Sequence, residues 1–270
     1  MSRSEIKEFY AKGGETDRLN HPNFLLEGIR TKQIVERYID RPKLEILDVG
    51  GGAGFYSFWL QKMGHQVTLI DLSEENISAA NDYEITSGIK LKELRTGNAL
   101  KLSLEDNSFD LVLLMGPLYH LLEKPERIQA IAEAKRVLKP GGIVIAAIIS
   151  RYASLMDGFS RDFVYDDAFF DVVRTDLATG MHHNPTNNPQ YFTTSYFHHP
   201  AELETEINEG GLQFKKLIAV ESFGWILKDL DKKQGDGPYM NKLLSTIQSL
   251  ESNQDLIAIS PHIIGIGTKL

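Results

Sequence analysis

The stretch Leu44-Glu-Ile-Leu-Asp-Val-Gly-Gly-Gly-Ala-Gly54 constrains this chain more than any other, because an apolar run ends in an acid and then in a glycine-rich turn that opens a helix. Glycines at such a turn admit positive φ and let the backbone approach a ligand with no Cβ in the way. Strand, glycine turn and helix in that order suit a nucleotide, and the spacing sets which one. A dinucleotide fingerprint requires G-x-G-x-x-G. Counted from Gly50 and Gly52 it needs glycine where Phe55 stands, and counted from Gly52 and Gly54 it needs glycine where Ser57 stands. A nicotinamide dehydrogenase is therefore disfavoured. The pattern that fits is D-x-G-x-G-x-G, formed by Asp48, Gly50, Gly52 and Gly54.

Residues 44–49, 67–70, 109–114 and 143–149 are short runs rich in Val, Ile and Leu with little alternation, as expected of strands buried on both faces of a parallel sheet. Helical stretches separate them. Phe55 to Met63 stops at Gly64, a C-terminal glycine signal. Ser73 can cap a helix running to about Thr86, with Glu74 and Glu75 in its first turn. Glu126 to Leu138 places Ile128, Ile131, Ala132, Ala134 and Leu138 near one face and is ended by Pro140-Gly141. Alternation of strand and helix predicts a doubly wound α/β sheet with its ligand at the carboxyl ends of the strands. Asp71 ends the second strand about 20 residues after the first glycines, where a carboxylate meets ribose hydroxyls. It indicates a ribose without saying whose.

Four further segments follow the glycine turn: Gln66-Val-Thr-Leu-Ile-Asp71, Leu91-Lys-Glu-Leu-Arg-Thr-Gly-Asn-Ala99, Ser108-Phe-Asp-Leu-Val-Leu-Leu-Met-Gly-Pro-Leu-Tyr-His-Leu121 and Ala134-Lys-Arg-Val-Leu-Lys-Pro-Gly-Gly-Ile-Val-Ile-Ala146. With the D-x-G-x-G-x-G turn they stand in the order found in class I S-adenosylmethionine-dependent methyltransferases, which the chain resembles over residues 44 to 149. The resemblance implies a Rossmann-like seven-stranded sheet. Leu212 to Val220 would be its sixth strand and His262 to Thr268 an antiparallel last strand, with helices near Ala201–Asn208 and Tyr239–Leu250. It implies S-adenosylmethionine as cofactor, S-adenosylhomocysteine as product and an O, N or C nucleophile as methyl acceptor. Gly50, Gly51, Gly52 and Gly54 would lie against methionine and ribose, with Asp48 supporting the turn. Asp71 and Leu72 would meet the ribose, and Asn98 with Ala99 the adenine, although the family commonly has Asp where this chain has Asn98. Main-chain groups of Met115 and Gly116 would hold the cofactor ammonium. Tyr119 and His120 fall where the family places the acceptor. An imidazole there can remove a proton from an attacking hydroxyl or amine, so His120 is the candidate catalytic base; it can equally order the loop or pack on the next helix.

Residues 43–150 thus form the expected cofactor-binding core of a single 1–270 domain. The segment 1–42 reads as a helical flap, two helices around the Gly13-Gly14 and His21-Pro22 breaks, which can simply cover one edge of the sheet or, as the resemblance implies, fold Tyr10 over the cofactor mouth. Residues 151–200 read as a cap inserted after the fifth strand, and residues 201–270 complete the sheet. Tyr, Phe and His in the cap suit a flat small substrate, and they equally suit packing of a lid. His182-His183 and His198-His199 are adjacent pairs that point apart on a strand, so no metal site is expected from them. The net charge of −8, from 29 basic and 37 acidic residues, disfavours nucleic-acid substrates. No cysteine is present, so thiolate chemistry is excluded. The first residues lack the apolar core of a signal peptide, and Ile143–Ile149 is too short to span a bilayer, which makes a cytoplasmic small-molecule enzyme without membrane attachment the expectation. Two other readings remain open: a cofactor-binding module without turnover, and a methyltransferase acting on a macromolecule. Oligomeric state is not legible.

Overall fold

A computed structural model describes residues 24–186, 188–227 and 229–270. The first expected N-terminal helix, and Tyr10 with it, lies outside the described residues. The second is α1, Leu25–Glu36. Then follow β1 (Glu45–Val49), α2 (Phe55–Lys62), β2 (Gln66–Asp71), α3 (Glu74–Ser87), β3 (Glu93–Thr96), β4 (Phe109–Leu114), the one-turn α4 (Pro117–His120), α5 (Lys124–Val137) and β5 (Leu138–Ile149). Strand order in the main sheet is β3-β2-β1-β4-β5-β9-β8, where β8 is Gln213–Ala219 and β9 is His262–Thr268. The first five strands are parallel, and β9 runs antiparallel to both its neighbours, β5 and β8. This is the seven-stranded Rossmann-like sheet with one antiparallel strand that the sequence predicts.

Both faces of the sheet are buried, which accounts for the unbroken apolar runs. Leu47, Val112, Val144 and Ala146 face one way, onto Ala130, Ile131 and Ala134 of α5. Their neighbours Ile46, Leu111, Leu113 and Ile145 face the other way, onto Ile34 and Val35 of α1, Phe58 and Leu60 of α2 and Ala80 of α3. Helix α8 (Pro200–Glu209) packs so closely on β9 that a Cβ at Gly265 would lie 2.7 Å from Ile207 and Leu203. The start of α3 is capped as expected, with the Ser73 side chain accepting a hydrogen bond from the Asn76 N–H.

One boundary differs from expectation. Helix α5 ends at Val137, and Leu138 is already extended and paired with Phe109, so Pro140-Gly141 forms an irregularity inside β5 and does not end the helix. Tertiary pairing overrides the helical periodicity there. Helix α1 is tied to the far edge of the sheet through buried Arg30. That side chain donates to Val220 O at 3.2 Å and to Glu251 Oε2 at 2.6 Å, and Arg37 reaches the same carboxylate at 2.9 Å.

Between β5 and α8 lie α6 (Ala153–Ser160), α7 (Asp167–Thr179) and a two-stranded ribbon of β6 (Met181–His182) and β7 (Ser195–Tyr196). These elements have their own apolar cluster, built on Phe169, Val173 and Tyr191. The tandem histidines serve this packing. His182 is held between Asp176 Oδ2 and Tyr191 O, both at 2.8 Å, and its ring stacks on Phe197. His198 is fully buried, with Nε2 3.4 Å from Glu206 Oε2.

Candidate functional site

The carboxyl ends of β1, β2 and β4 open onto one cavity. Its floor is the glycine turn. Gly50 N–H donates to Ile70 O at 2.7 Å and Gly52 N–H to Asp71 Oδ2 at 2.8 Å, so the turn after β1 is fastened to the end of β2. Gly52 has φ of +59°, a conformation that glycine adopts without steric cost, and a Cβ built there would meet nothing within 4 Å. The space above it is open to a ligand. Gly51 is glycine for a different reason: its Cβ would fall 2.5 Å from the Asp48 carboxylate.

Asp48 is fully buried at the end of β1. Its Oδ2 accepts from Ser57 Oγ at 2.7 Å, while Oδ1, also buried, has no hydrogen-bond partner. Burial pushes the carboxyl up to about 6. Asp71 accepts from Gly52 N–H, from Ser73 N–H at 2.8 Å and from Asn76 Nδ2 at 3.2 Å. Leu72, Asn98 and Ala99 line the same end of the cavity, and Asn98 Oδ1 accepts from Leu100 N–H at 3.0 Å. The side-chain oxygen of Asn98 thus takes part in a local turn.

At the other end, Met115 and Gly116 lead from β4 into α4, which carries Tyr119 and His120. Gly116 is pressed against β1, with a Cβ there falling 2.9 Å from Gly50 O. His120 is edge-on to Tyr119 at 4.6 Å and 6.0 Å from the Phe192 ring of the cap. Phe192 has φ 64° and ψ −171°, a region otherwise confined to glycine, so the fold holds about 1–3 kcal/mol of strain where the cap meets α4. Burial drives the His120 ring down to about 4, with a hydrogen bond at the Thr194 backbone opposing the shift. His120 is a neutral ring at pH 7 and a weak proton acceptor.

Every site residue expected from sequence within the described residues, apart from Gly54, lines this cavity. Gly54 sits behind it at the start of α2, where a Cβ would meet Phe58 at 2.7 Å. The cavity also includes residues not anticipated: Ser73 and Asn76 at the start of α3, Glu27 and Thr31 on α1, and His262 and Ile264 on β9. The signal for His262 was available. A strand running antiparallel to its neighbours begins where they end, so its first residue joins the carboxyl-end site. Among the described residues, Glu27, Glu221 and His262 are the three whose possible ligand atoms all lie within 4.8 Å of one another.

A methyltransferase domain model matches residues 47–146. The chain is 31% identical over 232 residues to a ubiquinone biosynthesis O-methyltransferase of Rickettsia typhi, covering 80% of this chain and 82% of that one. It is 27% identical to the enzyme of the same name from Xanthomonas euvesicatoria, covering 83% and 86%. In fold it is similar to a SAM-dependent methyltransferase from Methanosarcina mazei, with a TM-score of 0.59 and 22% identity over 88% of this chain and 97% of that one. The glycine turn, the acid after β2, the antiparallel last strand and these relatives lead to one conclusion: the chain belongs to the class I S-adenosylmethionine-dependent methyltransferases.

Proposed function

We propose that this enzyme methylates a hydroxyl oxygen of a flat small molecule, as the names of its O-methyltransferase relatives suggest for them. The observation that carries the reading is that one cavity is lined both by Asp71 and Asn98 and by Tyr119 and His120. The residues fit the cofactor. The partnerless buried oxygen of Asp48 suits a cationic group, and the open space over Gly52 admits a bulky one. When bound, S-adenosylmethionine supplies a methyl carbon on a sulfonium that an acceptor lone pair can displace.

Gly50, Gly51 and Gly52 present backbone to the methionine and ribose parts, and Asp71 takes the ribose hydroxyls with the second lone pairs of its oxygens, flanked by Leu72. Asn98 and Ala99 face adenine, and main-chain groups at Met115 and Gly116 hold the ammonium. Tyr119 and the neutral His120 ring line the acceptor space and orient a planar substrate, with the 151–200 insertion as a cap that excludes water. Among the described residues no helix is long and apolar enough to cross a membrane. The net charge of −8 counts against a nucleic-acid partner, and the reading is of a cytoplasmic enzyme whose partner is a small molecule.

The test is transfer of labelled methyl from S-adenosylmethionine into a size-fractionated cell extract, with an Asp71→Ala control. Label in small molecules that disappears with the variant supports the proposal. Label in macromolecules would replace the substrate class, and cofactor binding without label from any extract would favour a module without turnover.

A further inference from the structure

His262 opens β9 opposite Ile149, at the end of the sheet where the cofactor cavity lies, and it lines that cavity. Its Nδ1 is 2.6 Å from Glu221 Oε1. Glu221 is fully buried, and its other oxygen lies 3.2 Å from the His262 N–H and 3.0 Å from the Ser260 hydroxyl. Ser260 Oγ in turn accepts the backbone N–H groups of Glu221 at 3.1 Å and Ser222 at 3.0 Å. Ser222 is held at φ +52°, a left-handed conformation uncommon for a residue with a side chain. The residues that leave β8 and those that enter β9 therefore meet so as to fix one carboxylate against one imidazole. We propose that His262, oriented by Glu221, is the general base that takes the acceptor's hydroxyl proton. The proposal rests on the O-methyltransferase reading.

A carboxylate only accepts hydrogen bonds, so the close Nδ1 contact requires that nitrogen to carry the proton. The proton-accepting nitrogen of the neutral ring is then Nε2. A base fixed in tautomer and orientation by a third group is the recurring form of this chemistry. Glu27 on α1 adds a second carboxylate, Oε2 lying 3.8 Å from the same Nδ1. Arg30, one turn further along α1, has its charge paired with Glu251. Glu221 and Glu27 both stabilise the imidazolium that forms on proton transfer. His120, in contrast, is buried against aromatic rings, and that burial makes it the weaker base.

The step balances. The acceptor O–H bond breaks and its proton passes to His262 Nε2. The oxygen lone pair forms the bond to the methyl carbon, and the carbon–sulfur bond breaks with its electron pair returning to sulfur. Solvent removes the proton from His262 afterwards.

The experiment compares wild type, His262→Gln and Glu221→Gln with two acceptors, catechol, protonated at neutral pH, and a nitrocatechol, already ionised there. Binding of S-adenosylhomocysteine is measured for each protein to show that the cofactor site is intact. His262→Gln should lose about 10²- to 10⁴-fold in kcat with catechol and within about fivefold with the nitrocatechol. The rising limb of the wild-type pH–rate profile should vanish with it. Glu221→Gln should shift that limb to lower pH and slow catechol more than the nitrocatechol; it decides the question if His262→Gln binds no product. Equal losses with both acceptors, or none, would overturn the proposal. A wild type that methylates neither acceptor and labels only macromolecules would instead overturn the O-methyltransferase reading beneath it.

Discussion

Asp71→Asn keeps the shape of the residue that joins the glycine turn to the ribose site and removes its charge. The native carboxylate serves three donors, Gly52 N–H, Ser73 N–H and Asn76 Nδ2. An amide has one accepting oxygen and one donating nitrogen, so in either orientation one backbone N–H faces an NH₂. The lost hydrogen bond involved a charged acceptor, an interaction of about 1.5–3 kcal/mol. A ribose hydroxyl loses its charged acceptor at the same time. Together these should weaken product binding by about 2–4 kcal/mol, or roughly 30- to 700-fold in Kd. Isothermal titration with S-adenosylhomocysteine reads the affinity, and melting of the ligand-free protein reads the bracing of the turn at roughly 2–4 °C per kcal/mol. An affinity within about threefold of wild type would refute the ribose assignment. If the melting temperature fell while affinity held, Asp71 would be a brace for the turn alone.

Other outcomes follow from the same geometry. Because burial raises Asp48 to about 6, the ligand-free fold retains a proton that the unfolded chain releases near its ordinary value of 3.8. Stability should therefore fall, by up to ~3 kcal/mol, as pH rises from about 4 to 6, and Asp48→Asn should flatten that slope in urea titrations; an unchanged slope would refute the assignment. Gly52→Ala has room for its methyl group but not the backbone conformation. It should fold with a loss of about 1–2 kcal/mol and bind product at least about tenfold more weakly because the methyl group enters the ligand space; native affinity in titration would show that no ligand lies there. Glu251→Leu leaves buried Arg30 without its carboxylate and should cost about 3–5 kcal/mol, seen as a lower midpoint in chemical denaturation. A midpoint near wild type would show that Val220 O and Gln33 Oε1, which accepts from Arg30 Nη1 at 2.7 Å, suffice to hold the guanidinium.

The half of the cavity built on the glycine turn was legible because its constraints are local. Glycines at 50 and 52, the acid at 71 and the Ser73 cap each answer to a backbone conformation or hydrogen bond within a few residues, and pattern alone finds them. Strands buried on both faces announced the parallel sheet in the same way. The acceptor side was less legible because it is assembled from distant parts. Glu27, Glu221 and His262 meet only after α1 has packed on one face and β9 has entered between β5 and β8. His120 stood in a telling position after β4, yet its surroundings, set by Phe192 and Thr194 of the cap, determine how weak a base it is. Of the paired histidines the pattern said only that they point apart, since spacing says nothing of Asp176 and Glu206, against which His182 and His198 are buried.

The placement of β9 also bears on how the molecule is made. This strand follows every other strand of the sheet along the chain, and it is the partner that joins β8 to β5. Until residue 268 emerges, β8 has no place in the main sheet and Ile207 of α8 lacks the Gly265 surface it covers. Pairings of such long sequence separation form late and slowly. A nascent chain can close the Gly50 turn and the first five strands early, yet His262 reaches its place only once β9 has followed β8 out. Truncation before β9 would leave a cofactor-binding half with an open sheet edge, a species prone to aggregate.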